Sequence, residues 1–137
     1  MNDDFFIMQP YDFQMYDRGS ITEHIAERRR NDAYKTMLQN TYDYLVANGE
    51  TTKDYTTHTP FLYNRKNLLA LINQVMPEIK RGKALSIRTL YGNIYNVPSE
   101  TIKDVKNPEV YEGLPILSTN EHTFIGSLGS YIRQKLD

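Results

Sequence analysis

Apolar side chains recur every three and four residues along several stretches of the chain, and this spacing predicts a mainly helical protein. The longest stretch is 20–48, where Ile21, Ile25, Tyr34, Met37, Leu38, Tyr42 and Leu45 share a face. Ser20 and Glu23 fit a capping box at its start, and Asn48-Gly49 suits its end. Arg28, Arg29 and Arg30 interrupt its middle. One helix of this length would run about 40 Å at roughly 1.5 Å per residue. That exceeds one small core, so part of it is expected to meet a second subunit or project as an arm.

A second amphipathic helix is predicted over 64–76, capped by Asn64, with Leu68, Leu69, Ile72, Val75 and Met76 inward. Pro77 then permits a further turn through Ile79, and Gly82 ends it. Ser86 caps a short helix carrying Ile87, Leu90 and Tyr91 inward, and Ser99 caps another over 97–106 with Ile102 and Val105 inward. Residues 109–117 alternate partially around Gly113 and suggest a small β element, or wing. The last helix, 118–136, opens on Ser118 and Glu121 and buries Phe124, Ile125, Leu128, Tyr131, Ile132 and Leu136. Gly126 and Gly129 lie inside it and imply close backbone approach by another helix or by a ligand.

Two segments have no helical period. Residues 1–17 pack Phe5, Phe6, Ile7, Met8, Tyr11, Phe13, Met15 and Tyr16 around Pro10. Such apolar area must cover the domain or a partner. Residues 50–60 are Thr-rich, end in Pro60 and read as a linker. The expected organisation is therefore an N-terminal aromatic arm and long helix over 1–59, followed by a helical domain over 60–137.

Composition narrows the class. The 137 residues are 39% hydrophobic and 24% charged, ordinary for a folded domain, and contain no cysteine. The acidic start lacks the features of a signal peptide, and no run is long enough for a membrane span, so a cytoplasmic protein is expected. The eleven tyrosines use A/T-rich codons, as in a low-GC bacterium, its phages or its plasmids. The net charge of −1 is unevenly spread: residues 61–95 carry +5, a candidate footprint for phosphate.

Catalytic signatures are missing. His24, His58 and His122 have no helical metal-ligand spacing, and Gly126-Ser127-Leu128-Gly129 lacks the spacing of a nucleophile elbow. No phosphate-binding loop or dinucleotide fingerprint occurs. The expectation is no enzyme, no cofactor and no metal; an enzyme would need a pocket joining His24, His58 or His122 with carboxylates.

The sharpest pattern lies at 86–106. Leu90 and Ile94 form an inner helix face, Asn96 can take a left-handed turn, Val97 anchors that turn and Ser99 caps the second helix. Asn96-Val97-Pro98-Ser99-Glu100-Thr101-Ile102 resembles the turn and recognition-helix start of phage-repressor-like helix-turn-helix proteins. The resemblance implies that Ser99, Glu100, Thr101 and Lys103 face base edges while Lys80, Arg81, Lys83 and Arg88 lie near phosphates. A second register joins Gly82, Leu85-Ser86-Ile87-Arg88 and Leu90 to Leu114-Pro115 and Ile125-Gly126-x-Leu128. This pattern is similar to small winged-helix-like proteins of Gram-positive bacteria and their phages. It would make the last helix the reader, through Asn120, Thr123, Ser127, Arg133 and Lys135. The second resemblance implies fold more than activity; the 86–106 pattern and the 61–95 basic block together lead to the expectation of a homodimeric regulator or accessory protein bound to double-stranded DNA, acting in transcription or in phage or plasmid maintenance. The alternative is a phage-type factor that docks on a host protein through residues 1–17 without touching DNA.

Overall fold

The computed structural model describes residues 5–10, 12–103, 112–114 and 116–136. Among them are six helices and two small sheets, consistent with the mainly helical expectation. No helix among the described residues is long and apolar enough to cross a membrane.

The long first helix does not form as one piece. Helix α1 spans Ile21–Glu27 and α2 spans Ala33–Ala47. Asp32 starts α2 by accepting a hydrogen bond from the Lys35 amide, and it also holds the Arg28 guanidinium at 2.6 Å. Arg28 in turn lies 4.5 Å from the centre of the Tyr34 ring. A local cap and an arginine folded over an aromatic ring thus outcompete helix continuation through the arginine run. The length argument for a second subunit no longer applies.

Helix α3, Arg65–Lys80, starts at the expected Asn64 cap but runs unbroken past Pro77, which lies in its last turn. Helix α4, Ile87–Ile94, starts at Ser86 as expected. Ile21, Leu38, Leu45, Leu71, Val75, Leu90 and Tyr91 from α1 to α4 form one buried core. This core joins helices from both sides of the expected 59/60 boundary. The Thr-rich stretch is no exposed linker, because Asp54, Tyr55, Thr57, Thr59 and Pro60 are all buried. Its threonines and Asp54 supply the hydrogen bonds that allow an irregular strand to run inside.

The N-terminal strand β1, Phe5–Ile7, pairs antiparallel with β4, Ile116–Ser118, near the other end of the chain. Phe6 stacks on Phe124 with ring centres 5.6 Å apart. Part of the aromatic arm therefore covers a second small core of Leu117, Leu128 and Ile132. The expected wing survives only as β4; residues 109–111 and 115 lie outside the described residues. Strand β2, Tyr16–Asp17, pairs in parallel with β3, Glu100–Thr101.

The last helix is divided into α5, Glu121–Ile125, and α6, Ser127–Leu136. Asn120 and Thr123 form the reciprocal cap, not Ser118 and Glu121. Ser118 is buried in β4 instead. Gly129 has the expected close neighbour: a β-carbon there would collide with the Phe124 carbonyl at the end of α5.

Candidate functional site

The turn after α4 begins as expected. Asn96 adopts a left-handed conformation (φ 48°), and the Val97 amide donates to the Gly92 carbonyl at 2.9 Å. Among the described residues no recognition helix comes after it, because Glu100–Thr101 is a strand and residues 102–103 are irregular; 104–106 lie outside the described residues. The cause is Asp17, a fully buried carboxylate from the other end of the chain. Ser99 donates to it at 2.5 Å and Thr101 at 2.7 Å, while the Gly19 amide donates at 2.9 Å and Lys53 approaches to 3.3 Å. Burial pushes the Asp17 carboxyl upward, but these donors outweigh it and hold it below the ordinary value. A buried carboxylate without donors costs several kcal/mol, more than a short helix gains by forming (~1 kcal/mol per cap). The Ser99 and Thr101 hydroxyls are therefore engaged by Asp17, although Thr101 stays exposed and Ser99 half-buried.

Most of the other expected DNA contacts also have internal partners. Arg81 and Lys83 both pair with Glu78, at 2.6 and 2.7 Å. Arg88 donates to Thr57 and Thr59 and sits 4.8 Å from the centre of the Phe61 ring. Arg133 donates to the Phe124 carbonyl and lies over that ring, and Lys135 lies 5.9 Å from the centre of the Tyr131 ring. Asn120 and Thr123 cap α5, and Ser127 is exposed at the start of α6. Lys80, Glu100 and Lys103 are exposed, but they belong to α3, β3 and the residue run after β3 and make no common reading helix.

The most built polar cluster joins residues far apart in the chain. His24 in α1 and Asp54 in the buried stretch join through the His24 Nδ1 and the Asp54 carboxylate. Asp54 is completely buried and also accepts from the Thr56 amide at 2.8 Å and the Thr56 hydroxyl at 2.6 Å. Burial raises the carboxyl, yet the hydrogen bonds from His24 and Thr56 carry it below the ordinary value. Tyr34 of α2 packs its ring at a tilt against His24, 5.8 Å between centres. Thirty residues separate His24 from Asp54, so no local spacing could have shown the pair.

His24 also lines a cavity of about 370 Å³, together with Arg18, Glu23, Glu27, Ile102 and Lys103. The Ile102 amide donates to the Asp17 carbonyl at 2.9 Å, which places residues 102–103 beside Arg18. A neighbouring, more apolar cavity of about 260 Å³ shares Ile102 and Lys103 and adds Tyr16, Leu114 and Ile116. Among the described residues, no group of three histidines or acids could hold a metal ion. His122 is exposed on α5 and His58 is half-buried, each away from the lining of these cavities.

Comparison with known proteins gives no match to a family model, a curated protein or a solved structure.

Proposed function

We propose that the chain is a non-catalytic docking factor that binds a partner protein through its N-terminal segment. One observation carries this reading: Phe13 is held in a left-handed conformation (φ 53°) with 46% of its surface exposed. A bulky side chain in that conformation costs about 1–2 kcal/mol, and 46% of this residue still faces water. Strain of this kind marks a residue shaped for recognition. Ile7, 42% exposed on β1, belongs to the same segment. An apolar cleft on a partner could recover roughly 2 kcal/mol by burying such a ring.

Phe13→Gly separates binding from folding, since glycine adopts this conformation without strain. The variant is expected to keep wild-type stability within about 1 kcal/mol and to lose the partners that cross-link to the wild-type protein in its producing cells. An unchanged set of cross-linked partners would remove the reading.

A second reading retains double-stranded DNA as the partner, favoured by the break between α1 and α2. That break leaves Arg29 and Arg30 exposed in a loop with no acidic partner among the described residues. Contacts from such a loop would address phosphate and carry no sequence information. A duplex gel shift that weakens with salt and is abolished by charge reversal at Arg29 and Arg30 is its signature. Absence of any shift at low salt excludes it.

A further inference from the structure

We propose that the cavity between α1 and residues 102–103 binds a small zwitterion of the free α-amino-acid class. The argument starts from His24. Its ring is 6% exposed and fixed by Asp54 through Nδ1. Asp54 stays ionised and already receives two hydrogen bonds from Thr56, so the imidazole proton shared with it resides on Nδ1. The other ring nitrogen, Nε2, has no partner among the described residues. The Asp54 contact holds the ring, and this nitrogen with it, in one orientation.

Glu23 and Glu27, one turn apart on α1, line the same cavity as His24. Two carboxylates on one wall call for a ligand rich in N–H donors, and an ammonium group supplies three. Lys103 and Arg18 line the cavity as well and provide for an anionic group; Arg18 is 3.8 Å from Glu27 and is already partly neutralised. The lining charges nearly cancel, which disfavours a polyanion or a bare cation and matches a ligand carrying one charge of each sign. Ile102 offers apolar wall for an aliphatic portion. A volume of about 370 Å³ accommodates a ligand of this size. A metal is a poorer fit, because these acceptors do not converge on one point.

The test is an NMR titration of the whole protein, with backbone and histidine ring nitrogens observed. Each of the twenty α-amino acids is added separately at up to about 10 mM, the range of weak small-ligand affinities. The N-acetyl and amide forms of any binder are then compared, each lacking one of the two charges. At least one free amino acid is expected to give saturable shifts at α1, at 102–103 and at the His24 ring nitrogens. Blocking either charge, or substituting Lys103→Ala or Glu23→Gln at these exposed positions, is expected to weaken binding about tenfold, the effect of one charge-assisted hydrogen bond. The unchanged remainder of the spectrum reports that the variants are folded. Failure of all twenty to saturate overturns the proposal. So do blocked forms that bind equally well, or shifts that persist undiminished in both variants.

Discussion

Single residues decide how closely this backbone can pack. Gly92 lies against the Tyr55 ring, and Gly129 lies against the Phe124 carbonyl; neither has room for a β-carbon. Gly126, only three residues from Gly129, is different: its added carbon would meet the His122 and Thr123 carbonyls at an ordinary 3.7 Å. Both sites would gain helix or chain-entropy stability from alanine, about 0.5–1 kcal/mol. At Gly129 the collision with main-chain atoms outweighs that gain. Gly129→Ala is therefore expected to lose about 2 kcal/mol in urea denaturation, while Gly126→Ala stays within about 0.5 kcal/mol of wild type. Equal effects at the two positions would show that the junction of α5 and α6 is not limited by this approach. Sequence inspection flagged both glycines alike, because only the neighbour across the bend distinguishes them.

Elements of secondary structure begin here at side chains that reach the nearest orphan amide. Asn64, Ser86 and Asn120 each accept from the third amide of their helix. Asp32 does the same for α2 and converts an apparently continuous periodic stretch into two helices. Asp32→Ala is expected to cost about 1 kcal/mol and to increase fraying at Ala33–Lys35, seen as faster amide exchange there. Exchange rates equal to wild type would place the break elsewhere, in the three arginines themselves. The helix ends at Asn48 and Gly82 were legible from sequence because left-handed glycine at a helix end is a local matter: Gly49 and Gly82 have φ of 70° and 84°. The expected helix at 97–106 was not recoverable locally, since its cap, Ser99, was claimed by a carboxylate 82 residues away.

Across the whole molecule, the segment 51–60 binds the helices together. Asn93 receives the Thr51 hydroxyl and the Lys53 amide and returns its own amide to the Lys53 carbonyl. Tyr55 donates to the Val97 carbonyl, and His24 reaches Asp54 from α1. The buried carboxylates Asp17 and Asp54 make this assembly acid-sensitive. Both are held below the ordinary value of 3.8. Groups with depressed folded-state values stabilise the fold above the unfolded value, and that contribution is lost as pH falls through 3.8 toward the lower folded values. The stability gap between wild type and Asp17→Asn is accordingly expected to be widest near neutral pH and to narrow as pH falls below 3.8. A gap that does not vary with pH would show that Asp17 acts through shape and not through charge.

The chain reveals in one dimension whatever depends on neighbours within a few positions. The helical class, the caps at Asn64 and Ser86, the left-handed turn at Asn96 and the inward positions Leu38, Leu45, Val75 and Leu90 are all of this kind. Periodicity and capping are short-range physics, so they can be read from adjacent residues. The pairing of β1 with β4, the burial of the threonine stretch, the seizure of Ser99 and Thr101 by Asp17 and the His24–Asp54 pair arise only when distant segments meet. Their energies come from satisfying buried polar groups, and a polar side chain in a sequence carries no mark of whether water or another segment will satisfy it.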